Sequence, residues 1–308
     1  MFNIILCGCG NIGFRHLQAI GRIGTPTKVY VVEPNQETHH RIEELKLANL
    51  ELSTQLPTPS RKFDLAVIAT TAGVRRQVYE ALTKEHKVRS IIFEKVAFQS
   101  LADINFVEAD LNDKDIRAYV NCGRRGFPDY QKLSKSLDNA QPTNVTVRGS
   151  NFGLASNAIH FLDLAEFLNS SQISNLDLSG LNPNPKHSKR SGNIEVFGEI
   201  EGTLRNGARF IIDCQPGNEI SLEIRLENDQ SISEISELGR KIVTDGETRV
   251  FDTKFVSEMT YLYEKVLLNG LTDLTPYGAS ARQHRHLITQ MNKYLGLDEN
   301  QGTVCPIS

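Results

Sequence analysis

The stretch Ile4–Ile20, IILCGCGNIGFRHLQAI, constrains the fold of this chain more than any other. Ile4, Ile5 and Leu6 form the apolar run that a buried parallel strand needs. The run leads into Gly8-Cys9-Gly10-Asn11-Ile12-Gly13, and then into a helical pattern with Leu17 and Ile20 on one face. G-x-G-x-x-G between a strand and a helix is the context in which this motif cradles a pyrophosphate. Gly8 allows the tight turn, Gly10 removes a Cβ that would block the phosphates, and Gly13 lets the helix pack close to the strand. The free N–H groups around Asn11 and Ile12, at the positive end of the helix dipole, then face the phosphates.

A second strand, Lys28–Val32, ends in Glu33, twenty residues after Gly13. A carboxylate at that position accepts hydrogen bonds from a ribose 2′-OH and repels a 2′-phosphate, which favours NAD over NADP. The neighbouring His39-His40-Arg41 softens that exclusion and leaves NADP open.

The chain has 308 residues, enough for one or two domains with a sizeable core. Its net charge of −3 comes from 34 basic and 37 acidic side chains, with no basic stripe or polybasic cluster, so neither nucleic acid nor a membrane is expected as partner. No apolar run approaches the roughly 18 residues of a membrane span. The first strand starts at residue 2, which leaves no room for a signal peptide and predicts a cytoplasmic protein. Cys7, Cys9, Cys122, Cys214 and Cys305 lack zinc-site spacing, so free thiols and no metal are expected.

Residues 1–121 alternate strand and helix. Apolar runs at Phe63–Ala69, Arg89–Lys95 and Ile116–Val120 are separated by helical patterns at Val74–Glu85 and Leu101–Asn112, and a surface helix is expected over Gln36–Leu47. This succession predicts a doubly wound parallel sheet, a Rossmann domain, with ligands beyond the carboxyl ends of its strands. Residues 122–308 read differently. A helix is expected at Phe127–Leu137, a strand within Pro142–Phe152 and a strong helix at Asn157–Leu168. Short alternating runs then fill Ile173–Phe255, with turn signals such as Asp245-Gly246, and two helices close the chain at Val256–Asn269 and Ala279–Leu295. The expectation is an α/β chain: a Rossmann domain, then an α+β substrate and oligomerisation domain with an open, mainly antiparallel sheet. Helices Asn157–Leu168 and Val256–Asn269 are expected on one face of that sheet. A second copy on the other would make a homodimer or homotetramer. The polar, basic segment Asn182–Asn193 is expected to be a mobile loop.

Three places can carry chemistry. Lys95 follows Glu94 at the carboxyl end of a buried strand, where its ammonium either meets a substrate hydroxyl or snorkels to water. His160 and Asp163 share a helix face at i, i+3, which suits an acid/base pair or an ordinary packed histidine with its partner. Arg124 and Arg125, after Asn121-Cys122-Gly123, either clamp a cofactor or acidic substrate, or form ion pairs.

Taken together, these residues resemble the glucose–fructose oxidoreductase / inositol dehydrogenase / rhizopine-catabolism (Gfo/Idh/MocA) family over nearly the whole chain. The resemblance rests on Gly8-x-Gly10-x-x-Gly13-x-x-His16, on Ala66-Val67-Ile68-Ala69-Thr70, on Glu94-Lys95 and on Asn157-Ala158-Ile159-His160-Phe161-Leu162-Asp163-Leu164. It implies a Rossmann domain plus an α/β domain with an open antiparallel sheet. It also implies NAD(P)-dependent oxidation of a hydroxyl on a sugar, polyol or sugar nucleotide, in the manner of relatives acting in bacterial surface-sugar pathways. Lys95 and His160 would handle the hydroxyl proton, with Asp163 supporting them. Gly8–Gly13, Glu33, Thr70, Thr71, Glu94 and Lys95 would line the cofactor, and Lys95, Arg124, Asn157 and His160 the substrate. Two positions depart from the family: Val96 replaces the proline after the lysine, and Ser156 replaces an aspartate often found four residues before the histidine. These leave two alternatives open, a non-catalytic NAD-binding sensor and an enzyme that keeps NAD bound while cleaving or epimerising a sugar.

Overall fold

The computed structural model describes residues 1–137, 141–188 and 191–308. Its contacts divide the chain into two compact units. The first comprises Met1–Phe98, Ala102–Asn121 and Lys254–Ala281; the second comprises Gln99–Leu101, Cys122–Thr253 and Arg282–Ser308.

The first unit begins with β1 (Phe2–Cys7), α1 (Asn11–Ile20), β2 (Thr27–Val32), α2 (His39–Glu43) and β3 (Leu50–Ser53). It continues with β4 (Lys62–Phe63), β5 (Leu65–Ile68), α3 (Ala72–Glu85), β6 (Lys87–Val88), β7 (Ser90–Phe93), α4 (Leu101–Asp113) and β8 (Arg117–Val120). The main sheet runs β8-β7-β5-β1-β2-β3, all parallel, with the two-residue strand Thr275–Pro276 antiparallel at its β8 edge. Every residue of β5 and β7 is buried, the pattern of strands covered on both faces. Strand order reverses at β1, which lies between β5 and β2, so a crevice opens beyond the carboxyl ends of β1 and β5. The Rossmann expectation therefore holds for the parallel sheet.

Two expectations are corrected here. The helix expected over Gln36–Leu47 is a 3₁₀ turn at Gln36–Thr38 followed by five helical residues, because the chain leaves the helix and enters the left-handed region at Lys46 (φ 48°) and Asn49 (φ 61°). The helix Thr260–Asn269, expected on the antiparallel sheet, packs in the first unit. There the Thr260 hydroxyl donates to the Ala19 carbonyl at 3.0 Å, and the Leu267 carbonyl accepts from Arg89 at 2.6 Å. Its apolar period identifies a buried face but not the surface that covers it.

The second unit holds α5 (Pro128–Ser136), β9 (Asn144–Ser150), α6 (Leu154–Asn169), β10 (Ile173–Asp177), β11 (Lys186–His187), β12 (Ile194–Glu195), β13 (Gly198–Leu204) and β14 (Arg209–Gln215). It goes on with β15 (Ser221–Glu227), β16 (Ile232–Ser236), β17 (Lys241–Thr244) and β18 (Glu247–Val250). Its large sheet runs β10-β13-β14-β9-β15-β16-β17-β18, antiparallel except for the parallel pair β14–β9. Inward residues such as Ile200, Phe210, Ile212, Leu222 and Ile224 are buried, and α6 packs on β9 and β14. The other face carries Arg148, Glu199, Glu201, Arg225 and Glu234. Asp245 (φ 50°) and Gly246 (φ 87°) form the tight hairpin that their sequence predicts. Within the expected loop Asn182–Asn193, Lys186–His187 pairs with Ile194–Glu195, while Lys189 and Arg190 lie outside the described residues. Among the described residues no helix is long and apolar enough to cross a membrane.

Candidate functional site

The glycine turn joins β1 to α1 at the crevice of the parallel sheet. Gly8 has φ +86°, and a Cβ on it would lie 2.8 Å from the Thr70 amide nitrogen. A Cβ on Gly13 would overlap the Gly8 carbonyl. Both glycines are thus required by the protein's own backbone. Gly10 is different: its φ is −62°, and a Cβ there meets no protein atom within 4 Å. Nothing in the chain itself requires glycine at that position.

Gly10 is also the N-cap of α1, so the helix starts without a side-chain cap and without an acidic residue in its first turn. The first intrahelical bond runs from Phe14 N–H to the Gly10 carbonyl. The preceding N–H groups, at Asn11, Ile12 and Gly13, therefore present the donors that anions occupy at helix starts. Glu33, at the end of β2, is buried; its Oε2 accepts from the Cys9 N–H at 2.6 Å and its Oε1 from the Asn35 N–H at 2.9 Å. Each oxygen keeps a lone pair for a further donor. Arg41 lies across the same turn, with its guanidinium 4.3 Å from the Phe14 ring centre and Nη2 3.3 Å from the Cys9 carbonyl. Burial pushes the Cys9 thiol up to about 12, with Glu33 adding to the effect and Arg41 opposing it, so Cys9 remains a neutral thiol. Burial likewise raises Cys7 to about 12.

Beside this turn lies a buried polar network. Glu94, just past β7, accepts at Oε1 from His16 Nε2 (2.7 Å) and from the Asn121 amide (2.6 Å). Burial raises the pKa of Glu94, but His16 and Asn121 outweigh it and hold the carboxyl below its ordinary range. With the carboxylate ionised, Nε2 of His16 carries the proton and donates. Nδ1 of the same ring lies 2.5 Å from the Tyr263 hydroxyl oxygen. Burial and the Glu94 charge raise Tyr263 well above its ordinary value, so that hydroxyl stays a donor.

Arg75, on α3, is also buried. It donates to the carbonyls of Glu94 (2.7 Å) and Ala97 (2.9 Å) and to those of Thr70 and Val96. One guanidinium thus ties the Thr70 loop to the Glu94–Ala97 segment that carries Lys95. The Lys95 amide donates to Glu94 Oε2 at 3.2 Å, its side chain is half-buried, and the Lys95–Val96 peptide bond is cis. Thr70 is half-buried and Thr71 is the exposed N-cap of α3. Sequence reading missed Arg75 and Tyr263. The signal for Arg75 was a cation in the first turn of a helix, where the dipole disfavours it unless something else accepts its hydrogen bonds.

In the second unit, α6 starts from the left-handed Gly153 and carries Asn157, His160 and Asp163. The Asn157 amide donates to the Phe152 carbonyl at 2.5 Å. His160 is half-buried. Asp163 is fully buried and pairs with Arg125 at 3.0 Å. One turn on, Glu166 accepts from Arg282 (2.9 Å) and Gln283 (2.8 Å). Arg124 forms an ion pair with buried Glu237, Nε to Oε1 2.9 Å and Nη2 to Oε2 2.8 Å, and its guanidinium lies 4.4 Å from the Phe161 ring centre. The Tyr130 hydroxyl completes this cluster on Glu237 at 2.9 Å. Among the described residues no group of three or more His, Cys, Asp or Glu side chains is placed to hold a metal.

No protein-family model matches the sequence, and no curated protein matches it. Likeness appears at the level of structure. UDP-N-acetylglucosamine 3-dehydrogenase GnnA from Acidithiobacillus ferrooxidans is 14% identical, with 94% of this chain and 96% of that one covered at a TM-score of 0.71. An oxidoreductase from Agrobacterium radiobacter, in complex with NAD+, L-tartaric acid and magnesium, is 16% identical, with 96% of each chain covered at a TM-score of 0.73. A super-repressor mutant of Gal80p from Saccharomyces cerevisiae is 14% identical, also with 96% of each chain covered and a TM-score of 0.73. These structural neighbours are of the Gfo/Idh/MocA type, and the chain has the fold of the Gfo/Idh/MocA-type dehydrogenases and oxidoreductases.

Proposed function

We propose that the protein is an NAD-dependent oxidoreductase acting on a hydroxyl of a sugar, polyol or sugar nucleotide. The observation that carries the proposal is Gly10: the fold does not need glycine there, whereas a pyrophosphate on the N–H groups of Asn11 and Ile12 does. The remaining residues fit such a cofactor. Glu33 offers carboxylate lone pairs to the adenosine ribose, and its charge favours NAD over NADP. Thr70 and Thr71 line the crevice beyond β5. Bound NAD supplies the hydride acceptor.

The chain's own groups then manage the proton. As the substrate carbon gives up hydride, its hydroxyl must lose a proton, and Lys95 is assigned to hold that hydroxyl and take it. Glu94 keeps negative charge next to Lys95, and the Arg75 clamp fixes the segment that bears it. In the second unit, His160 is assigned as acid/base and Asn157 to substrate. Asp163, neutralised by Arg125, holds α6 in place. Two neighbours support the substrate class and the cofactor by name: one is a sugar-nucleotide dehydrogenase and the other was solved with NAD+. The test is NADH formation by purified protein across a panel of sugars, polyols and sugar nucleotides. Turnover of at least one supports the reading, and absence of turnover across the panel contradicts it.

A second reading, a cofactor-binding regulator without turnover, is favoured by Val96, by Ser156 and by the likeness to Gal80p. It predicts NAD+ binding with no NADH from any substrate. We also propose self-association through the open sheet of the second unit; light scattering that returned the mass of a single chain would overturn it.

A further inference from the structure

Helix α6 carries Asn157, His160 and Asp163, yet its own sequence does little to hold its start. The N-cap is Gly153, in the left-handed region at φ 78°, with no side-chain cap, and the first turn holds no acidic residue. Ser156 stands in that turn, at the position where the Gfo/Idh/MocA family often has an aspartate, and its hydroxyl donates to the Gly153 carbonyl at 3.3 Å. The first intrahelical bond runs from the Asn157 N–H to the Gly153 carbonyl at 2.9 Å, so the Ala155 N–H has no acceptor within the helix.

A carboxylate reaches this turn from another element. Glu195, in β12 and forty residues after Ala155, is half-buried; its Oε1 accepts the Ala155 N–H at 2.8 Å and the Val196 N–H at 2.9 Å. A Cβ built on Gly153 would lie 3.2 Å from Asn157 Nδ2, 3.4 Å from Glu195 Oε2 and 3.4 Å from Ser156 Oγ, so these three side chains converge on one point at the helix start. The negative charge of Glu195 therefore stands at the positive end of the α6 dipole, where an acidic first-turn residue would otherwise stand.

The strand that delivers Glu195 is itself tied down. β12 pairs with β11, which sets Glu195 opposite Lys186 and Ile194 opposite His187. The Ile194 N–H donates to the Pro306 carbonyl at 2.8 Å, and the Cys305 N–H donates to the Gln99 carbonyl at 2.8 Å. Gln99 Nε2 in turn donates to Asn193 Oδ1 (3.1 Å) and to the Ile307 carbonyl (3.0 Å). All of these residues belong to the second unit, as α6 does.

We infer that Glu195 is a positioning residue for α6: from β12 it supplies the carboxylate that the first turn lacks at Ser156, and so fixes the start of the helix that carries Asn157 and His160. Its effect on turnover rests on the role proposed above for His160; its effect on the helix does not. With the carboxylate supplied from β12, Ser156 no longer favours a regulator over an enzyme.

The test compares Glu195→Ala with the double variant Glu195→Ala, Ser156→Asp, which returns a carboxylate to the first turn of α6. Two quantities are read: kcat and KM on whichever panel substrate the parent oxidises, and the His160 imidazole resonances in the NMR spectrum, identified by their loss in His160→Gln. Glu195→Ala should lower kcat about tenfold or more, because a small misplacement of a reacting group is costly, with KM within about threefold. It should also shift the imidazole resonances. The double variant should recover kcat to within about threefold of the parent and return the resonances. A cap that only stabilises the fold would lower the melting temperature of Glu195→Ala and leave both quantities unmoved, and that result overturns the inference. So does a double variant, folded by circular dichroism, that recovers neither. If the parent oxidises nothing in the panel, the proposed reaction fails, and the resonances alone decide: a shift reversed by Ser156→Asp supports the positioning role, and its absence overturns it.

Discussion

Replacing Gly10 with alanine separates what the fold requires from what a ligand requires. The new Cβ meets no protein atom within 4 Å beyond its chain neighbours, and φ at −62° lies outside the left-handed region. Alanine is a poorer N-cap than glycine by about 0.5–1 kcal/mol. It also restricts the unfolded chain, which favours folding by about 0.4–1 kcal/mol. The two nearly cancel, so the melting temperature should move by no more than about 4 °C. Binding should respond differently. A methyl group on Gly10 occupies the space a pyrophosphate would use and pushes it off the N–H groups behind. Hydrogen bonds to a charged group contribute about 1.5–3 kcal/mol each, so losing the equivalent of one to two weakens NAD+ by about 100-fold. Calorimetric titration with NAD+ measures the binding and thermal unfolding measures the fold. Gly13→Ala is the contrasting case: its Cβ overlaps the Gly8 carbonyl, and moving α1 away should cost about 3 kcal/mol of stability. If folded Gly10→Ala binds NAD+ like the parent protein, the space beside Gly10 is not where the phosphates lie, and the reasoning fails.

Three further predictions follow from the same geometry. Lys95→Ala should lower turnover on any substrate the protein oxidises by about 100-fold or more while NAD+ affinity stays within about twofold, as steady-state kinetics paired with titration would show. Glu33→Ser should lower NAD+ affinity and raise NADP+ affinity about tenfold, because the repelling carboxylate is gone and Arg41 remains; an unchanged preference in titrations would remove Glu33 from the ribose site. Glu94 is held below its ordinary value of 4.5, so its ionised form contributes stability above that pH which is lost as pH falls through the folded-state value. Urea midpoints measured from pH 7 downward should therefore fall below about pH 4.5, and Glu94→Gln should flatten that fall.

The parallel sheet and the glycine turn were legible because their causes are local. A strand buried on both faces is a short apolar run, and a turn that excludes Cβ atoms requires glycine, so β1, β5, β7 and Gly8–Gly13 announce themselves. The polar network beside the turn was not legible, because its members come from distant parts of the chain. His16, Glu94, Asn121 and Tyr263 meet only after folding, and even where His16 and Glu94 stand out in motifs, nothing in their spacing pairs them with each other, with Asn121 or with Tyr263. Arg124 illustrates the same limit. Its sequence neighbours suggested either a ligand clamp or an ion pair, and the acidic side chain it meets, Glu237, lies 113 residues away. Helix Thr260–Asn269 shows that a hydrophobic period reveals a buried face without its partner, and α2 shows that a backbone turning left-handed at Lys46 shortens a helix whose pattern continues.

The central claim is that the N–H groups at the start of α1 hold a dinucleotide pyrophosphate beside Gly10. A crystal structure of the protein grown with NAD+ tests this most directly. The account predicts the pyrophosphate within hydrogen-bond distance of the Asn11 and Ile12 N–H groups, with an adenosine ribose hydroxyl on Glu33. A dinucleotide seated elsewhere on the protein, with the space beside Gly10 filled by water, would contradict it.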